Sequence, residues 1–589
     1  MRKTAVAVTL ISALLITAAA GTQLICIISA NFIPETPPSG IRINSDGTVE
    51  GTNLLNRVGN VYTLISDIYD TIVVFRDDIV LDGAGYTLHG KGNSTGVFLQ
   101  DRSNVTIKNL NIRGFYWGIK SIIGDFPPAT PKYIIISGNT ITQNTYGIVL
   151  ASSAGCMVLE NRITNNTIGA SMYSGNVFRN NRFDNNEYAL DDYSGANDLD
   201  SSNTVNGKPI YYWFDQHDKT VPLDAGLVIL KNCSSITVED LKLEGNGNGL
   251  LLYGTTNSTI RSNILANNKE GISLKESFNN TISGNRVTNN KGYGIYGYHS
   301  TSNVISKNQI TLNEKGGVNL DYSVSNIITE NDIAENYGNG VFLTDIKDSD
   351  ITNNNVMLSR GCGIGFGYGP NGKVKGNVVS KNDVGIWMSN AFENTVTFNN
   401  VTENFGWAVY LEGDQKNNTI HHNNFIGNKI VVGLQVHIKM FWSYPGLNYR
   451  GPPSEAPLPE LVPGAGNYWD DGREGNYWSD YTGKDANGDG IGDTPYLINE
   501  KNADNFPLML PFTMTIASPE GEGSTDMDTD YPEGEDSTGA DIGSFPVVPV
   551  VAAASAAVAV VAGAGLLVYF KKRNNARINK HSEVEQSST

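Results

Sequence analysis

Cysteine is scarce in this chain: four in 589 residues. That excludes a disulfide framework as the source of stability. Cys26 lies in an apolar leader, and Cys156, Cys233 and Cys362 stand far apart, as isolated small hydrophobes do. Histidine is also thin, with seven residues, so few side chains titrate near neutral pH. Positive charge is short as well. Forty-two Lys and Arg against 60 Asp and Glu leave a formal charge of −18. That sign disfavours nucleic acid and anionic polymers as general partners and favours cations and neutral ligands. Long apolar runs occur only near the two ends.

Glycine, with 63 residues, and regularly spaced asparagine are abundant. In the stretch 326–343, Asn326, Asn331 and Asn336 recur at intervals of five, and Gly340 introduces Val341 and Leu343. The pattern returns 23 residues earlier, with Asn303, Asn308, Asn313, Val318 and Leu320, and 23 residues later, with Asn354, Val356, Ile364 and Phe366. A fixed period of this length signals a solenoid. Apolar pairs two apart signal strands rather than helix. The expected fold is all-β: a right-handed parallel β-helix of 22–23-residue coils with N- and C-terminal caps and a C-terminal transmembrane helix. Asparagine tolerates left-handed turns, which suits it to the corners, and its stacked amides can bond along a column.

The order of segments follows. Arg2, Lys3 and the apolar run after them read as a signal peptide over 1–30. Residues 31–100 read as an N-terminal cap with entry strands, and 101–205 as coils. The period breaks over 206–235, read as an inserted hairpin leaving the solenoid, and coils resume over 236–430. Residues 431–515 read as a C-terminal cap, 516–545 as an acidic linker, 546–570 as a transmembrane helix and 571–589 as a cytoplasmic tail. Lys571, Lys572 and Arg573 place that tail inside, so the expected protein is a single-pass cell-membrane protein with an extracellular ectodomain. Eight Asn-x-Ser/Thr sequons there make it a candidate glycoprotein.

Three groups of residues carry chemistry. Asp485, Asn487, Asp489 and Asp493, with the backbone carbonyl of Ile491, have the alternating oxygens of a Ca²⁺ loop. Position 12 is Tyr496 rather than an acid, so Asp480 or Asp504 would complete a structural calcium site. The second group is a column between the inward residues: Leu251, Ser273, Tyr296, Asn319, Phe342, Gly365, Trp387 and Tyr410. Tyr298, Asp321 and Glu412 run beside it. Aromatic platforms flanked by hydrogen-bonding groups suit sugar rings, so this face is the expected ligand site. The third group is Asp215, His217 and Asp218, in a segment similar to the YGFDPHD signature of mannuronan epimerases, with Gln216 and Trp213 departing from it. The pair Asp191-Asp192 invites a glycosidase reading, without companion segments. His421-His422, and His437 with Met440, are too few for an expected copper site.

The segment DIVLDGAGYTL at 78–88, the Asn-x-Ile coils, NGKPIYYW at 206–213 and GNYWSDY…DANGDGIGDTPY at 475–496 resemble the NosD-like β-helix proteins of periplasms and archaeal surfaces. Those belong to the carbohydrate-binding and sugar-hydrolase β-helix group. The resemblance spans about residues 40–512 and implies a role in copper delivery to nitrous oxide reductase. This chain departs from it in lacking a Met- or His-rich site and in carrying a C-terminal anchor. The expectation is a non-enzymatic surface protein that binds a glycan or a surface-layer component. A polysaccharide lyase, epimerase or hydrolase and a copper-related maturation factor are the alternatives.

Overall fold

A computed structural model describes residues 37–122, 133–151, 155–192, 196–413, 415–435, 466–499 and 502–513. Each coil contributes three short strands, as in Ile327–Thr329, Asp332–Ala334 and Asn339–Leu343. Each strand pairs in parallel with its equivalents one turn away. Ile328 lies between Ile305 and Ile351, Ile333 between Ile310 and Val356, and Val341 between Val318 and Ile364. Strand alternation turns these residues inward, where all are buried. Burying one such side chain stabilises by roughly 1.5–3 kcal/mol, and the stack repeats the gain turn after turn. Cys156, Cys233 and Cys362 are all buried.

Asparagine clips the coils together. Asn331 Nδ2 donates to Asn354 Oδ1 at 2.9 Å and to the Ile305 carbonyl at 2.9 Å, while the Asn331 backbone N–H reaches the same Asn354 oxygen at 3.0 Å. Asn326 and Asn336 belong to two further columns, through Ser349 and Asn313. A buried amide is tolerated only when its groups are paired, and the ladder pairs them. Asparagine does hold left-handed corners, as at Asn165, Asn185, Asn267, Asn289 and Asn353, but the ladder asparagines are not among them. The left-handed corner residues are those just before each ladder position, Ser325, Glu330 and Glu335, with φ near +56°. The ladder asparagines are selected for their amides, not for tolerance of positive φ.

The expected inserted hairpin at 206–235 does not leave the solenoid. Thr204–Val205 turns through Asn206 and Gly207, both at positive φ, into Lys208–Phe214, which runs antiparallel to it. Lys208–Phe214 then pairs in parallel with Leu227–Lys231, and that strand with Asn248–Tyr253. The segment joins two arms with separate cores. Ile210, Tyr212, Leu227 and Ile229 pack in the core of the first arm. Val228 and Leu230 pack in the core of the second, with Tyr211 and Trp213 against it. Both strands are apolar on both faces, which a water-exposed hairpin could not bury.

At the far end Tyr477–Trp478 pairs with Asn424–Ile426. Trp469 and Trp478 are both buried in the second core. Asn467 and Asn476 accept the last rungs, from Asn418 and Asn423. The tetrapeptide GNYW occurs at 466–469 and again at 475–478, and each copy supplies one rung and one apolar plug. Among the described residues no helix is long and apolar enough to cross a membrane. The signal peptide, acidic linker, transmembrane helix and tail expected above, with His437 and Met440, lie outside the described residues.

Candidate functional site: an aromatic sheet face and the seam between two arms

The long strands of the second arm present the expected column in register. Leu251, Ser273, Tyr296, Asn319, Phe342, Gly365, Trp387 and Tyr410 are direct partners from strand to strand. Leu251 and Ser273 are buried near the junction of the arms, while the rings from Tyr296 onward are half-buried. They cover one another rather than standing free. Tyr293 stacks on Tyr296 with centroids 5.6 Å apart, Phe342 tilts against Trp387 at 5.6 Å, and Trp407 against Tyr410 at 4.8 Å. Gly365 makes the Phe342–Trp387 contact possible, since a Cβ there would lie 2.7 Å from the Phe342 ring.

Carboxylates fix the polar edges of these rings. Tyr296 Oη donates to Asp321 Oδ2 at 3.2 Å, and Trp387 Nε1 donates to Glu412 Oε2 at 3.1 Å. Burial pushes both Asp321 and Glu412 above the ordinary carboxylate range. Burial, reinforced by Asp321, pushes Tyr293 up to about 12. Tyr298 meets His299 edge-on at 4.3 Å and Tyr322 at 6.0 Å, extending the aromatic surface.

Where the face runs under the first arm, charges gather. Lys231 Nζ lies 2.7 Å from Asp192 Oδ2, and both side chains are buried. Lys269 Nζ is 4.0 Å from Asp191 Oδ2. Lys291 pairs with Glu187 and sits 5.5 Å over the Tyr188 ring. Glu270 accepts the backbone N–H of Tyr293 at 2.5 Å, and its carboxylate fills the space that a Cβ on Gly292 would take. Burial raises Glu270 and Asp192, in the latter case against the pull of Lys231. Burial lowers Lys275, against the pull of Asp191 and Asp192. Asp191 Oδ2 is buried without a hydrogen-bond partner. Sequence reasoning noted Asp191-Asp192 but missed Lys231 and Glu270. The partners are separated by dozens of residues and come from different arms.

The other expected sites differ. Asp215, His217 and Asp218 sit on an exposed turn. Asp215 and Asp218 hold positive φ, and His217 Nδ1 pairs with Ser234 Oγ at 2.7 Å rather than with an acid. A cavity of about 480 Å³ opens beside them, between Asn176, Asp198, Tyr212 and Gln216.

In the Asp485 loop the oxygens turn inward on their own backbone. Asp485 accepts the N–H groups of Gly488, Asp489 and Gly490; Asp489 accepts Ile491; Asp493 accepts Ala486. Asn487 donates to Asp489 at 2.9 Å. The hard-oxygen donor set fits calcium in type. The two acids expected to complete it are engaged elsewhere. Asp504 is buried and accepts from Trp478 Nε1 at 2.8 Å, and Asp480 accepts from Tyr496 at 3.1 Å. Among the described residues, the His, Cys, Asp or Glu trio whose ligand atoms all lie within 4.8 Å is His421, His422 and Asp471.

Residues 313–474 match the family model of the periplasmic copper-binding protein NosD, and residues 78–221 and 226–364 match the right-handed β-helix region. The probable ABC transporter binding protein NosD of Stutzerimonas stutzeri is 30% identical over 126 residues, 21% of this chain and 22% of that protein. The match thus spans about a fifth of the length of that relative. Among solved structures, the periplasmic alginate epimerase AlgG is 14% identical, with 67% of this chain and 82% of that one covered at a TM-score of 0.21. The A-module of mannuronan C-5 epimerase AlgE4 from Azotobacter vinelandii is 12% identical, with 59% and 89% covered at 0.24. The chain is a right-handed parallel β-helix with NosD-like coils toward its C-terminal end.

Proposed function

We propose that the outer face of the second arm binds a carbohydrate chain, and that the protein displays this face at the cell surface from a membrane helix at 546–570. The observation that carries the reading is the register of half-buried rings from Tyr296 to Tyr410, with Tyr296 held by Asp321 and Trp387 by Glu412. Five strand steps at about 4.8 Å span about 24 Å, room for several sugar rings. Ring faces take the C–H faces of sugars, and Asp321 and Glu412 offer acceptors to hydroxyls. A glycan or a glycosylated surface-layer component is the partner class. A glycan array probed with the purified protein tests this. Binding that is lost on Trp387→Ala or Tyr410→Ala supports it, and an array without a bound glycan overturns it.

A second reading, action on a polysaccharide, is favoured by the seam. The buried Asp192 and the half-buried Glu270 and Lys275, all with shifted titration and beside the aromatic face, are the company that acid–base chemistry keeps. Product release from polyuronides or neutral glycans, abolished by Glu270→Gln while binding is retained, separates this reading from binding alone.

A further inference from the structure

The last full coil meets the C-terminal segment at a cluster on a different sheet from the aromatic column. His421 ends the strand Thr419–His421, and His422 is the corner residue that follows, at φ +56°. Left-handed geometry at that corner brings the two rings edge to face, with centroids 4.7 Å apart and Nδ1 against Nδ1. Two imidazole nitrogens in contact cannot both carry a proton. Either one donates to the other, or the rings part slightly and both lone pairs turn to a shared cation.

The surroundings favour the cation. Asp471 comes from the C-terminal segment, and one ligand atom from each of His421, His422 and Asp471 lies within 4.8 Å of the others. The Asp471 carboxylate is itself held, because its Oδ1 accepts the N–H groups of Arg473 and Glu474 at 2.8 Å. His422 Nε2 lies 2.8 Å from Glu474 Oε2. A carboxylate on the outer nitrogen fixes the tautomer that leaves Nδ1 free to ligate, the usual support of a metal-bound histidine. Phe398 and Phe512 flank the rings, at 5.0 and 5.8 Å from His422. Phenyl groups there lower the local polarity and strengthen charge–ligand attraction.

We propose that His421 Nδ1, His422 Nδ1 and a carboxylate oxygen of Asp471 bind one divalent transition-metal ion of the zinc class, with Glu474 as the positioning residue. Two imidazoles and one carboxylate suit a borderline ion and not calcium, which takes oxygen ligands. The ligands are about fifty residues apart in sequence, so the ion ties the final coil to the segment that closes the core with Trp469 and Trp478. Nothing in this depends on the carbohydrate reading.

Isothermal titration of the metal-free full chain tests it, with Zn²⁺, Cu²⁺ and Ca²⁺ in separate arms. The expected result is one equivalent of Zn²⁺ or Cu²⁺ that excess Ca²⁺ does not displace. Affinity falls at least tenfold in Asp471→Asn, and about 10–100-fold in Glu474→Gln. Limited proteolysis is the second readout: bound metal protects the 466–513 segment in the parent chain and not in Asp471→Asn. Asp471 lies at the surface, so this variant keeps the test valid if His421→Ala or His422→Ala fails to fold. Absence of stoichiometric binding overturns the proposal, as does zinc affinity unchanged in Asp471→Asn and Glu474→Gln. The rings would then share a proton with no ion between them.

Discussion

Lys231 Nζ stands 2.7 Å from Asp192 Oδ2 where the first arm ends and the second begins, with 2% and 1% of the two side chains exposed. The ammonium also lies 5.5 Å from the Tyr212 ring and 5.8 Å from the Tyr253 ring. A buried pair of this kind contributes little net stability, because desolvation offsets the attraction, but breaking it strands a charge.

Lys231→Met should therefore destabilise the chain by about 3–5 kcal/mol. The double variant Asp192→Asn/Lys231→Met should recover most of that loss. Denaturant unfolding of the two variants checks it, and a double variant as unstable as the single would show that the pair does not act as a unit.

The ladder predicts an asymmetry between neighbours. Asn331→Ala removes the acceptor of the Asn308 N–H and Nδ2 and the donor to the Ile305 carbonyl. At roughly 1–3 kcal/mol for each buried group left unpaired, the cost should be at least about 3 kcal/mol. Glu330, one residue earlier, holds φ +56°. Glu330→Gly should gain, by roughly 1 kcal/mol, from relief of left-handed strain. Melting temperatures of the two variants should move in opposite directions.

Gly365→Ala tests the ring column without removing a ring. The new methyl group would meet Cys362 Sγ at 2.5 Å and the Phe342 ring at 2.7 Å. Phe342 must then swing away from Trp387. A stability loss of about 1–3 kcal/mol is expected, together with a shift in Trp387 emission and weaker glycan binding. Unchanged emission would mean that the ring does not lean over the glycine.

Asp504 sets a pH dependence. Its carboxyl is buried and pushed up to about 6 despite donated hydrogen bonds from Asn476, Trp478 and Phe506. A folded-state value above the unfolded one gives stability that is complete below the unfolded pKa and is lost as pH rises through about 6. The shift from 3.8 to about 6 corresponds to roughly 3 kcal/mol. Melting of the C-terminal segment, followed by Trp469 and Trp478 fluorescence, should move upward as the pH falls from about 7 to about 5. Asp504→Asn should flatten that profile.

Much of the scaffold was legible from spacing. Asn331, Ile333 and Val341 repeat at a fixed interval because each coil stacks on the last, and the same interval aligned Tyr296, Phe342, Trp387 and Tyr410 on one outer column. The reversal at Asn206-Gly207 was misread. A strand buried on both faces, such as Leu227–Lys231, looks the same in sequence whether it belongs to a hairpin or to a junction. The left-handed corners were legible only in part: asparagine holds some of them, as at Asn165 and Asn353, while Ser325, Glu330 and Glu335 share no side chain that would mark them.

The sequence by itself determined the coil, the amide ladders and the aromatic column, because each depends on residues one period apart, and a repeat writes that spacing into the chain. Tertiary structure alone decided that Asp192 meets Lys231, that the Glu270 carboxylate packs against Gly292, and that Asp471 reaches His421 and His422. Those contacts join an arm to an arm and a coil to the segment that closes it, across intervals that no period records.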